Sequence, residues 1–226
     1  MDLFVNGCSF LNHRHSNGID VNFSTAEVIK DKCKFENMTN LARGGRGNDR
    51  IFLSTMAYFE GDSKQKKNTF VLIGWSASTR LDYPTREDFK PTPPLDQCWS
   101  TIKMFEHEKG FDKMARIKID HLHWSITRYF QNVIGLQNYL KTNKIPFLFY
   151  NSLSPFLFNG KRDHINWQMA IDDKHFYKLQ SSHHEYCKEH KLFISESDEH
   201  PSADGHKLWA EKIYKYIQEQ GLQNEI

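Results

Sequence analysis

Thr69-Phe70-Val71-Leu72-Ile73-Gly74 is an apolar run that stops at a glycine. The lack of polar alternation describes a strand covered on both faces, as in a parallel sheet flanked by helices. Upstream, the segment 48–59 places Ile51, Phe52, Thr55, Met56 and Phe59 on one helical face. Before it, residues 38–41 read as a second strand ending ahead of Gly44-Gly45, and residues 24–34 as a modest helix. Leu3-Phe4-Val5 reads as a buried first strand that stops at a tight turn at Gly7.

Downstream the rhythm breaks over residues 80–113. Pro84, Pro91, Pro93 and Pro94 lie among charges and aromatics there. That composition predicts a long loop with little regular structure, either a lid or binding surface or a plain insertion. Ile119, Leu122, Ile126, Tyr129, Val133, Leu136 and Leu140 then define one apolar helical stripe, read as packing on a sheet rather than as a coiled-coil seam. Residues 146–150 read as another central strand and Leu192-Phe193-Ile194 as a final short one. A last helix starts near Ser202, with Leu208, Trp209, Ile213, Tyr216 and Ile217 facing inward. The expected fold is α/β, a three-layer α/β/α sandwich around a central, mostly parallel sheet. A single domain over residues 1–226 fits this length.

Thirty Lys and Arg residues nearly balance 28 Asp and Glu, for a formal charge of +2. That balance gives no electrostatic case for nucleic acid as the main partner. The four cysteines, at 8, 33, 98 and 187, show no CxxC spacing and are too few for a disulfide framework. No apolar stretch approaches the ~18–20 residues of a membrane span, and the N-terminus has no signal-peptide pattern. The expectation is a cytoplasmic protein with reduced thiols and no membrane partner.

The chemistry-bearing motifs sit at the two ends. Gly7-Cys8-Ser9-Phe10 closes the first strand, and Asp198-Glu199-His200-Pro201 precedes the last helix. A serine hydroxyl becomes nucleophilic when a histidine takes its proton and an acid or carbonyl holds the other ring nitrogen. Loops that follow parallel strands converge on one sheet edge, so these distant residues can meet. The glycines at 44, 45 and 47 lack the Gly-Lys-Ser/Thr ending of a phosphate loop and fit no dinucleotide fingerprint. Pairs such as His13 and His15, His121 and His123, and His183 and His184 lack an HExxH arrangement and read as solvated or core-edge histidines. Trp75, Tyr83 and Trp99 are candidates to stack on a sugar face at the mouth.

The blocks together resemble the SGNH (GDSL-like) hydrolase superfamily over nearly the whole chain. Gly7-Cys8-Ser9-Phe10 is similar to its first block, Asn40-Leu41-Ala42-Arg43-Gly44-Gly45 to its second, and Asp198-Glu199-His200-Pro201 to its last. The resemblance implies ester hydrolysis through an acyl-enzyme, with Ser9 as nucleophile, His200 as base and Asp198 holding the imidazole. It implies an oxyanion hole from the backbone N–H groups of Ser9 and Gly45, with Ser76 as a weak third donor. The implied substrate is a small acyl ester, for example an O-acetyl group on a carbohydrate, with no metal or organic cofactor.

Three departures accompany the resemblance. Cys8 stands where the family usually has Asp, with a nucleophilic Cys8 as the minor alternative. Ser76 stands where the family has an oxyanion Asn, with Asn48, Ser78 and Arg80 as nearby substitutes. Asp198 lies two residues before the histidine rather than three, so either Asp198 or a backbone carbonyl orients His200. These departures leave open a binding or structural module on a degraded hydrolase fold. A nucleotide-binding or sulfotransferase-like protein would need the phosphate loop that is missing.

Overall fold

A computed structural model describes residues 1–16, 19–61, 68–84, 99–103, 121–156 and 165–224. Its strands are β1 (Asp2–Gly7), β2 (Arg14–Ser16), β3 (Ile19–Val21), β4 (Met38–Asn40), β5 (Thr69–Trp75), β6 (Arg80–Pro84), β7 (Trp99–Lys103), β8 (Phe147–Asn151), β9 (Phe193–Ser195) and β10 (Asp198–Pro201). Its helices are α1 (Thr25–Cys33), α2 (Asn48–Gly61), α3 (His121–Thr142), α4 (Ile165–Gln168), α5 (His183–Glu189) and α6 (Ala203–Glu219).

The central sheet runs β4-β1-β5-β8 with every neighbouring pair parallel. All seven residues of β5 are buried, which accounts for its unbroken apolar run. Side chains alternate between faces, as a strand's twofold period requires. Phe4, Val71, Ile73, Phe147 and Phe149 pack with Ile51 and Phe59 of α2 and Val133 and Leu136 of α3. Leu3, Val5, Phe70, Leu72 and Leu148 pack on the other side with Ala26 and Ile29 of α1 and Trp209 and Ile213 of α6. The result is the expected α/β/α layering.

Local chemistry sets the helix starts. Ser24 and Glu27 form a capping box on α1, and Ser202 caps α6 by accepting from Gly205 N–H.

The structure corrects three readings. Residues 80–113 contain regular structure, because β6 and β7 pair antiparallel from Arg80↔Lys103 to Pro84↔Trp99. Pro84 ends its strand, where a missing N–H is tolerated. Residues 85–98 and 104–113, with Pro91, Pro93, Pro94 and Cys98, lie outside the described residues, as does Ile119. Second, β9 does not join the main sheet. The chain folds back after Ser195 and pairs it with Asp198 in an antiparallel hairpin. A fifth position beside β8 is instead held by isolated parallel bridges, Phe149↔Phe176 and Asn151↔Ser182. Third, Leu208 is 45% exposed. The inward stripe of α6 follows His206, Trp209, Ala210, Ile213 and Ile217, and Leu208 lies about 100° around the helix from Trp209.

Candidate active site

Strand order reverses at β1, with β4 on one side and β5 on the other, and the crevice at the C-terminal ends there is a usual place for a site in such sheets. β1 ends at Gly7, which pairs with Gly74 of β5. Cys8 follows and is fully buried, which keeps its thiol away from solvent. Ser9 then opens a short 3-10 turn, Ser9–Leu11, and is part-exposed.

The loop after β4 is laced onto the same strand. Leu41 N–H donates to Val5 O (2.8 Å) and Arg43 N–H to Gly7 O (3.2 Å). Asn40 Nδ2 donates to Leu11 O at 2.8 Å, while its Oδ1 accepts from Ala42 N–H. These bonds bring Gly44 beside Ser9, with a Cβ built on Gly44 lying 4.0 Å from Ser9 Cβ. Gly45 takes φ +79°, a left-handed backbone that glycine allows without strain.

β10 brings an imidazole to Ser9. His200 Nε2 lies 2.8 Å from Ser9 Oγ. Its Nδ1 makes a short contact with Asp198 Oδ1, and Asp198 is buried. Asp198 is itself held by Ser195 Oγ, which accepts from its backbone N–H at 3.1 Å. The residue facing Nδ1 is therefore the carboxylate, and the two-residue offset works because Oδ1 also accepts from His200 N–H (3.2 Å), curling the side chain back over its own strand. A carboxylate at Nδ1 holds the proton there and leaves Nε2 to accept. Phe10 packs against the His200 ring, with centroids 5.6 Å apart.

The turn after β5 is built differently from the expectation that Asn48 and Ser78 are spare donors. Asn48 Oδ1 accepts from Ser76 N–H (2.8 Å), and its Nδ2 donates to Ser76 O and Ala77 O. Ser78 Oγ donates to Pro155 O at 2.7 Å. Both side chains hold the scaffold. Ser76 is fully buried, and its Oγ accepts from Arg80 Nη1 at 3.1 Å.

Several supporting groups gave little sign in the sequence. Asn6, within the first apolar run, is fully buried and donates to Ile51 O, Ser54 Oγ and Thr55 Oγ1, tying β1 to α2. Its Oδ1 accepts from Arg46 Nη1 at 3.0 Å. A polar residue interrupting a core strand was the one available signal. Asp82 accepts from Gly47 N–H (3.1 Å), Arg50 N–H (3.0 Å) and Thr101 Oγ1 (2.5 Å), fastening β6 and β7 to the start of α2. Burial holds its carboxyl above the usual range, against the opposing pull of the Thr101 hydrogen bond and Arg50.

The remaining candidates are placed elsewhere. Trp75 is fully buried against Phe149 and Tyr129, so it offers no face to a sugar. Arg50 lies over Trp99, and Tyr83 pairs with Ser100 in the β6–β7 ladder. His13 meets Glu27 at 2.9 Å and His184 meets Glu199 at 2.8 Å. His183 is buried and stacked on Trp209. The side chains of His15, His121 and His123 lie outside the described residues. Among the described residues no three His, Cys, Asp or Glu side chains are grouped to hold a metal ion, and no helix is long and apolar enough to cross a membrane.

The chain belongs to a family of unknown function, DUF6071, whose model matches residues 26–225. The matched segment holds Asp198 and His200 but begins after Ser9. No curated protein matches the chain in sequence. Among solved structures it is similar to a carbohydrate esterase whose active site is described as having divergent catalytic and non-catalytic binding functions, at 12% identity and TM-score 0.48 over 98% of this chain. It is also similar to an acetyl xylan esterase from the rumen bacterium Butyrivibrio proteoclasticus, at 9% identity and TM-score 0.49 over 98% of this chain. The chain spans 66% and 64% of those two structures' lengths.

Proposed function

We propose that the chain is a serine esterase of the SGNH (GDSL-like) kind, acting on a small acyl ester. The observation that carries this reading is the 2.8 Å approach of His200 Nε2 to Ser9 Oγ with Asp198 behind the imidazole. Ser9 Oγ attacks the ester carbonyl carbon and passes its proton to His200 Nε2, while the carbonyl π pair moves onto oxygen. Backbone N–H groups of Ser9 and Gly45 receive that oxyanion. Collapse expels the alcohol, which takes the proton from His200. Water, activated by the same imidazole, then releases the acid from the acyl-enzyme and restores Ser9. The resemblance of the sequence blocks to the SGNH hydrolases favours an O-acetylated carbohydrate as the natural substrate. Residues 1–226 act as one domain in this reading, because the first strand and the last hairpin supply halves of a single site.

A second reading has one observation in its favour. Ser76 is fully buried and bonded to Arg80, so the family's amide donor has no direct replacement. A binding module on the same fold would keep the pocket without turnover. Covalent labelling by a fluorophosphonate, with p-nitrophenyl acetate turnover alongside, separates the two. Labelling lost in both Ser9→Ala and His200→Ala is expected for the esterase, and a folded wild type that neither labels nor turns over would leave the binding module.

A further inference from the structure

Ser9 and Ser76 leave neighbouring strands at the same level. Each lies two residues past one member of the Gly7↔Gly74 register pair, on strands about 4.8 Å apart. On the other flank, Gly44 approaches Ser9 and Arg46 follows Gly45 directly. The guanidinium of Arg80 joins these two flanks. Its Nη1 donates to Ser76 Oγ at 3.1 Å and to Arg46 O at 3.5 Å. Its Nη2 and Nε have no hydrogen-bond partner among the described residues, and the residue is part-exposed.

We propose that Arg80 supplies the third oxyanion donor of this site, through the free edge of its guanidinium, in place of the side-chain amide. The proposal rests on the esterase reading and deepens it. Two protein bonds on Nη1 fix the plane of the group, so its remaining N–H bonds need no reorganisation when negative charge develops. A charged donor is also roughly twice as strong as a neutral one. Ser76 is then a positioning residue. Its hydroxyl accepts from the guanidinium and holds it between the turn after β5 and the loop that carries Gly45. This accounts for a fully buried serine at a position where a direct donor would have to reach the substrate.

The test uses two readouts on the full chain, with thermal melting to establish folding. The first is kcat and KM for p-nitrophenyl acetate, and the second is calorimetric binding of ethylphosphonate, a tetrahedral anion. Arg80→Gln is expected to lower kcat about 10²–10³-fold with little change in KM, and to weaken ethylphosphonate at least about tenfold. The loss of one charge-assisted bond underlies the second figure. Arg80→Lys should recover part of the binding, since it keeps the charge but not the fork. Ser76→Ala should lower kcat less than Arg80→Gln does. Ethylphosphonate affinity unchanged in folded Arg80→Gln, or no ethylphosphonate binding by the wild type, overturns the proposal. A wild type without turnover that binds ethylphosphonate through Arg80 would overturn the esterase reading and leave the anion site standing.

Discussion

Gly7 and Gly74 face each other in register across β1 and β5, and Leu11 fills the space their missing side chains leave. A Cβ on Gly7 would lie 2.7 Å from Gly74 O and 2.9 Å from Leu11 Cδ1. Leu11 closes the turn that begins with Ser9, so the glycine pair sets how low that turn sits on the sheet. Gly7→Ala is therefore expected to destabilise the fold by about 1–3 kcal/mol and to lower fluorophosphonate labelling of Ser9. Urea denaturation and the labelling rate measure the two effects.

Asn48 holds the Ser76 turn through three hydrogen bonds and is buried. Asn48→Ala leaves the Ser76 N–H and carbonyl without that partner. The expected cost is about 1–3 kcal/mol, read as a lower urea midpoint with an unchanged m-value. Because Ser76 carries Arg80, activity should fall further than stability alone explains.

Asp198→Asn keeps the shape of the acid but removes the carboxylate that fixes the proton on Nδ1. A loss of about 10⁴-fold in kcat for p-nitrophenyl acetate is expected. Retention of near wild-type kcat in a folded Asp198→Asn would point to a base that works without its acid.

His206 gives a pH prediction. Its Nδ1 accepts from Thr25 N–H at 3.2 Å, so the buried ring is neutral in the fold. Burial lowers its pKa from 6.5 to about 4, with Glu27 opposing the shift and His200 adding to it. The unfolded chain therefore binds the proton first as pH falls. Stability from this group is complete above pH 6.5 and is lost progressively down to pH 4. The loss is about 3 kcal/mol. His183, also buried, shifts in the same direction. Urea unfolding at pH 7 and pH 4.5 should differ more for the wild type than for His206→Gln.

The sequence made the layered fold legible wherever burial is two-sided or strictly periodic. β5 has no polar residue between Phe70 and Ile73 because helices cover both its faces, and α3 shows its stripe because one face meets the sheet. The early serine and the late acid-histidine motif were readable for a related reason, since strand ends in a parallel sheet share one edge. What escaped the reading depends on partners distant in sequence. Asp82 looks like an ordinary charge in a polar segment, and only the approach of β6 to the start of α2 makes it a buried acceptor. β9 is too short to announce its partner, and three residues fit a hairpin as well as a sheet edge. The scaffold role of Asn48 follows from how the turn after β5 closes, which no spacing encodes, whereas Arg80 already stands in the sequence among the substitutes for the family's amide.

Ser9 and His200 lie 191 positions apart. Their hydrogen bond cannot form while the C-terminal hairpin is still being synthesised or has come away from β1. Contacts of such long sequence separation are slow to form because the intervening chain must first be ordered. In the esterase reading, a chain emerging from the ribosome therefore stays chemically silent until β10 has been made, and a proteolytic cut that frees β10 would silence it again. Fluorophosphonate labelling of Ser9 would then serve as a clock for the docking of the hairpin, reporting when β10 has met the end of β1.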